Sequence, residues 1–275
     1  MSTTQRSPVT FAVTMLALLF LYLPLVVVVL FSFHATGALS FPFTGFSFRW
    51  YRDTFGSPTF SSALQNSAIV ATSVAILTLV LGTMAAYGLS RCRPSLRAPL
   101  AALFFLPITL PGLFVGIALL VYFARLDVQL SLTTVMIAHF VFVFPYFMLV
   151  AIAALDRLDP ALEEAASDLG ASPWKVFRKI TLPQIWPILA GATALAFALS
   201  FDEFIITFFV IGPDSTLPMF IFSKLRRTVD PSINVVSTVL MATTLFLWAV
   251  AFVFALRAER GRTRRTGGML GEATP

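Results

Sequence analysis

The stretch SLTTVMIAHFVFVFPYFMLVAIAAL, residues 131–155, runs for twenty-five residues without one Asp, Glu, Lys or Arg. At 1.5 Å of rise per helical residue, about 20 such residues cross the roughly 30 Å hydrocarbon layer of a bilayer. A membrane β-barrel strand would alternate apolar with polar positions, and this run is continuously apolar. A helix pairs every backbone group within itself, which lipid demands. The stretch therefore reads as a membrane-spanning helix.

Five further runs are built the same way: Val9–Phe33, Asn66–Leu89, Ala98–Phe123, Ile185–Ile211 and Ile233–Leu256. The expected fold is an all-α polytopic membrane protein with six transmembrane helices, one membrane domain over residues 1–260. Composition agrees. Of 275 residues, 58% are hydrophobic and 12% charged, with a mean hydropathy of +0.88, against about 45–50% and about 25% in soluble domains. Too few polar residues exist to coat a water-facing surface, so lipid is an expected partner and a soluble domain is excluded. The first run is longer than a signal-peptide core and is expected to stay as an anchor. The Gly- and Arg-rich tail, 261–275, is expected to be disordered.

The charges carry topology. Thirteen of the nineteen Lys and Arg residues fall at the N-terminus, between the second and third runs, between the fourth and fifth, and in the tail; six fall on the alternate side. Positive residues flanking spans stay in the cytoplasm, so both termini of this multi-pass membrane protein are expected there. The excess charge of +6 is accounted for by that rule and by contact with anionic lipid, so nucleic acid is not an expected partner. Cys92 is the single cysteine, and His34 and His139 are far apart, so neither a disulfide scaffold nor a metal site is expected. His139 reads as a lone bundle histidine, and Ser200, between Leu199 and Phe201, lacks the surroundings of a nucleophile. No catalytic residue is expected.

The connection 156–184 is punctuated like a structure of its own. Asp159 before Pro160 is an N-cap followed by a first helical residue, and Gly170 suits a left-handed C-terminal cap. Leu158, Leu162, Ala165 and Leu169 share a helical face, with Glu163 and Asp168 elsewhere. Ser172-Pro173 repeats the start signal, and the second helix groups Trp174, Phe177 and Ile180 before Pro183, where a stop is expected. A helix-turn-helix beneath the membrane results. With small Ala165 and Ala166 at its middle it suits close docking of another surface; an amphipathic hairpin that merely caps the bundle fits the same pattern.

Glu164-Ala165-Ala166, then Gly170, Ile180 and Leu182-Pro183 at the intervening spacings, resembles the EAA signature of the permease subunits of bacterial ABC importers. Further stretches are similar to the spermidine/putrescine permease branch: Ala63-Leu64-Gln65-Asn66-Ser67, Ala85-Ala86-Tyr87-Gly88-Leu89-Ser90-Arg91, Phe201-Asp202-Glu203-Phe204, Gly212-Pro213 and Thr216-Leu217-Pro218-Met219. The resemblance covers roughly residues 10–256. It implies that Glu164, Ala165, Ala166, Gly170, Ile180, Leu182 and Pro183 couple to a separate ATP-binding cassette ATPase dimer. It also implies a second EAA-type permease subunit, as a heterodimer, an external substrate-binding protein, and alternating access. No G-x-x-x-x-G-K-[ST] occurs, so this chain has no Walker-type phosphate cradle of its own. No cofactor is expected.

Asp202 and Glu203 stand alone as carboxylates within the long apolar runs. Charges at membrane depth cost a few kcal/mol and almost always face a cavity or a partner. For a polycationic substrate, the pair with Phe201 and Phe204 would offer charge pairing and cation-π attraction along a pathway. A structural pair with a neighbouring subunit is the other reading, and a self-sufficient ion-coupled carrier, or an importer of another small organic solute, is the alternative for the whole chain. Pro111-Gly112 with Gly116 in the third run marks a kink or a close helix contact.

Overall fold

Each long apolar run becomes a helix, but several helices are interrupted where the sequence runs on without a charge. The computed structural model describes residues 8–36, 43, 45–227, 231–246, 249–250 and 252–253. Its helices are α1 (Pro8–Ser32), α2 (Arg49–Phe55), α3 (Pro58–Arg91), α4 (Pro94–Thr109), α5 (Gly112–Arg125), α6 (Leu132–Leu155), α7 (Pro160–Asp168), α8 (Pro173–Asp202), α9 (Ile205–Val210), α10 (Leu217–Arg227) and α11 (Pro231–Phe246). Four of these, α1, α3, α6 and α8, are long and apolar enough to cross a membrane, and the bent pair α4 and α5 makes a fifth if taken as one span. The sixth expected run is described as the shorter α11; of its continuation to Leu256 only residues 249–250 and 252–253 are described, and the expected disordered tail and the basic residues flanking it lie outside the described residues.

Three boundaries differ from the sequence expectation. The second span starts eight residues early, at Pro58 rather than Asn66, because Ser57-Pro58 is a helix start of the same kind as Asp159-Pro160: proline at the first position has no amide to lose. The third run is not straight but turns by 104° between Thr109 and Gly112. Pro111 cannot continue a helix hydrogen-bond ladder and biases Leu110 to extended backbone, where it is found with ψ 134°. The fifth run ends as a helix at Asp202; Glu203 is extended, with ψ 118°, and a new helix begins at Ile205.

The chain divides into two compact units, residues 1–61 with 220–242 and residues 62–219 with 243–275. In the first, the connection after α1 folds back onto the end of that helix. Trp50 Nε1 donates to the His34 carbonyl at 3.0 Å, the Tyr51 and Ser32 hydroxyls are 2.8 Å apart, and the Phe33 ring stacks on Tyr51 at 4.9 Å. From Val9 to Val27 the apolar side chains of α1 are exposed on every face, as lipid-facing residues are, while Phe31 and Ser32 in its last turn are buried.

The second unit holds two apolar cores. One gathers Val70, Val74, Val115, Val135, Ile206 and Val210; the other gathers Leu89, Phe147, Met148, Ala151, Ile185 and Leu189. With little hydrophobic driving force between helices in lipid, close packing must hold them, and small residues permit it. A Cβ on Gly82 would lie 2.6 Å from the Phe147 ring, and one on Gly116 would lie 2.9 Å from the Phe209 ring. Gly82 also closes a π-helical turn, Thr78–Gly82, that widens α3 at this crossing.

Substituting Gly82 by Val should therefore lower the thermal stability of the detergent-solubilised protein by about 1–3 kcal/mol through overpacking. Gly88→Ala on the same helix meets nothing within 4 Å and should be neutral or slightly stabilising. Equal melting temperatures for the two variants would show that α3 and α6 do not meet at Gly82.

Candidate functional site

The segment between α6 and α8 is built from local signals. The Asp159 carboxylate accepts from the Ala161 amide at 3.0 Å, capping α7. At its other end the Ala171 amide donates to the Ala166 carbonyl (3.0 Å) and the Gly170 amide to the Ser167 carbonyl (2.9 Å). These two bonds close a Schellman motif, and Gly170 sits at its left-handed position with φ +79°. The second helix does not stop at Pro183. It continues as α8 through a π-helical turn, Phe177–Thr181. Pro183 would leave the carbonyl four residues earlier unpaired in a regular α-helix, and the wide turn just before it changes that pairing. The arrangement is thus one short helix, a tight turn, and one helix of 30 residues, rather than two short helices.

On α7, Glu164 and Ala165 are exposed and Ala166 half-buried; the large apolar side chains nearby are also uncovered, Leu169 being 89% exposed and Trp174 67%. Ile180 and Leu182 are half-buried, Pro183 is exposed, and the next turn sinks into the core at Ile185. One partner was not foreseen. Glu163, on the flank of α7, receives the Arg91 guanidinium on both oxygens, with Nε to Oε2 at 3.1 Å and Nη2 to each oxygen. The buried Thr181 hydroxyl donates to Glu163 Oε1 at 2.6 Å. Arg91 also lies over the Tyr87 ring, 4.5 Å from its centroid, and donates to the Ser90 hydroxyl at 2.9 Å. Burial raises the Glu163 pKa, but the Arg91 and Thr181 hydrogen bonds and the Arg91 charge outweigh it, so the carboxyl is held below its ordinary value. The 72 residues separating Arg91 from Glu163 hide this contact from any spacing rule.

At the far end of α8, Asp202 is exposed and Glu203 half-buried. Glu203 Oε1 accepts from the Ile206 amide at 2.9 Å, which caps the start of α9. Phe201 is turned into packing, 3% exposed and stacked on Phe197 at 5.7 Å, while Phe204 faces Phe208 across α9 at 6.0 Å. The break is spanned by a buried network. His139 bonds Ser200 Oγ through Nδ1 (2.9 Å) and Thr207 Oγ1 through Nε2 (2.7 Å), and Thr207 donates its proton to the Glu203 carbonyl at 2.9 Å. Since that hydroxyl proton is already committed, Nε2 must be the protonated nitrogen of His139, and Ser200 donates to Nδ1. Ser200 and Thr207, seven residues apart across the break, were the available sequence signal.

Residues 78–265 match the family model described as the binding-protein-dependent transport system inner membrane component. The chain belongs to that family. It is a multi-pass inner-membrane permease subunit of an ABC-type importer, a non-catalytic transport component related to the spermidine/putrescine permease branch. It is 35% identical to the putrescine transport system permease protein PotI of Escherichia coli over 94% of this chain and 95% of that one. It is 29% identical to the spermidine/putrescine transport system permease protein PotC of Escherichia coli, over 89% and 92%. It is 30% identical to a putative 2-aminoethylphosphonate transport system permease protein, PhnV, of Salmonella typhimurium, over 85% and 89%. In fold, this permease is similar to a chain of a bacterial ABC transporter that imports the acidic polysaccharide alginate, with a TM-score of 0.65, 18% identity and coverage of 94% and 96%.

The Glu163 pKa sets a pH dependence for the permease. A carboxyl whose folded pKa is lowered contributes its full stability above its unfolded pKa and loses it as pH falls through the folded one. The melting-temperature gap between the parent and Glu163→Gln should be open at about pH 7 and should narrow as the pH falls below the ordinary Glu pKa of about 4.3 and through the lowered folded value. A gap independent of pH would mean that the charge of Glu163 contributes nothing.

Proposed function

We propose that this permease imports a polyamine of the putrescine or spermidine type, with six spans and both termini cytoplasmic. In this reading α7 is the coupling helix that sits against a separate ATPase dimer, and a second permease subunit and an external binding protein complete the importer. The observation that carries it is the single helix α8: it begins beside the exposed face of α7 and ends at Asp202. From Thr181 to Asp202 that helix extends about 32 Å at 1.5 Å per residue, nearly the depth of a bilayer. A push on the Leu162, Ala165 and Leu169 face is thereby carried to the carboxylates by a rigid rod. The kinship with putrescine and spermidine/putrescine permeases supports the substrate class, and so does an acidic group at the end of an apolar helix, since an ammonium ion is the ligand that repays its desolvation.

Gly170→Val places a branched side chain at a left-handed backbone position and strains it by about 1 kcal/mol or more. Putrescine uptake into proteoliposomes containing the assembled importer should fall, while insertion of the chain persists. Uptake in the parent should require ATP inside the compartment exposed to α7; uptake driven by a proton gradient without ATP would overturn the importer reading.

The two carboxylates take different roles here. Asp202, exposed and free of a capping duty, faces the translocation path, whereas Glu203 holds the start of α9. Asp202→Asn should cut uptake while melting temperature and expression stay at the parent level. Glu203→Ala should destabilise by about 0.5–2 kcal/mol through the lost cap, and Glu203→Gln, which keeps an acceptor oxygen, should retain most transport. Parent-level uptake by Asp202→Asn would remove the acidic path.

A further inference from the structure

Helix α7 has no buried residue, and nine residues are too few to hold a helix in water by backbone bonds alone. Its caps are local: Asp159 closes one end and the Gly170 turn the other, and the Ser167 hydroxyl bonds back to the Glu163 carbonyl within the same helix. Among the described residues three ion pairs occur, and Arg91 with Glu163 is the one that reaches α7. Neither partner is loosely held. Tyr87 and Ser90 fix the guanidinium at the end of α3, and Thr181 fixes the carboxylate from the π-helical turn of α8. A bidentate guanidinium–carboxylate pair fixes orientation as well as distance, which a single ammonium does not.

We propose that the Arg91–Glu163 pair is the positioning latch of α7, through which movement of that helix is passed directly to the end of α3 as well as along the chain into α8. The function assigned to the latch rests on the coupling role given to α7 above; its geometry does not. Without the pair, α7 keeps the peptide links at its two ends and its contacts with the first turns of α8, but loses the ion pair that ties it to the end of α3. A force on its exposed face would then tilt α7 instead of displacing α3 and α8 together. Arg91 and Glu163 are positioning residues, acting on transport through the helix they hold.

The test uses the assembled importer in lipid, with its ATPase, second permease and binding protein, and radiolabelled putrescine as the probe. Spin labels at Arg93→Cys and Asp168→Cys, in a Cys92→Ser background, report the separation of the α3 end from α7. Glu163→Gln and Arg91→Lys should broaden that distance distribution and reduce uptake by about tenfold. Stimulation of ATP hydrolysis by loaded binding protein should be lost, with the complex still assembled. The charge-reversed double variant, Arg91→Glu with Glu163→Arg, should recover roughly a third of parent uptake, the interaction energy of a double-mutant cycle. A parent-like distance distribution in Glu163→Gln overturns the latch. So does parent-level uptake by Glu163→Gln alongside failure of Gly170→Val, which would leave the coupling reading standing. Parent-level uptake by both variants, with a broadened distribution, would instead overturn the coupling reading and the function of the latch together. Single variants that fail to assemble, with no recovery in the double variant, would reduce the pair to a fold contact and overturn the proposal.

Discussion

Inside a bilayer no water waits to accept a backbone amide, and every departure from a regular helix must be satisfied by the protein itself. That constraint governs where this chain can bend. The break after Asp202 is possible because Glu203 takes the Ile206 amide and Thr207 takes the Glu203 carbonyl, with His139 holding hydroxyls on both sides of the gap. The turn at Pro111 is possible because proline has no amide there to strand. The polar side chains around the break at Asp202 are thus committed to the interruption of the helical ladder.

The same economy of polar groups makes the few uncommitted ones informative. Asp202 sits one residue from Glu203, yet its neighbour carries the cap and Asp202 does not. At the other end of α8, Glu164 stands exposed beside a Glu163 that is bonded three ways. In both pairs one carboxylate builds the scaffold and the adjacent one is left presented, about 100° away around the helix or just beyond its end. A rod of 30 residues runs from the turn that follows α7 to Asp202.

The membrane helices were legible because a continuous apolar run needs no long-range information, and the caps at Asp159 and Gly170 because their partners lie within five residues. The interruptions were harder to read. The chain from Ile185 to Ile211 is as apolar as an unbroken span, and nothing within it but the Asp202-Glu203 pair marks where the helix ends. Pro183 misled for the opposite reason: as punctuation it signals a stop, but a wide turn of five residues just upstream lets the helix pass through it. Glu163 was read as a residue on the polar flank of α7. Its importance depends on Arg91 arriving from another helix, which only the tertiary fold supplies.

The π-helical turns at Thr78–Gly82 and Phe177–Thr181 each accommodate one residue more than a regular turn would. In a regular helix an inserted residue advances everything beyond it by about 100° around the axis, whereas a turn that holds one residue more absorbs the insertion locally. Loss of a single codon within residues 177–181 would therefore regularise α8 and leave Trp174 and α7 on nearly the same side of the rod. The same loss in the regular helix that follows has no such reserve, and would rotate the two ends of α8 against each other.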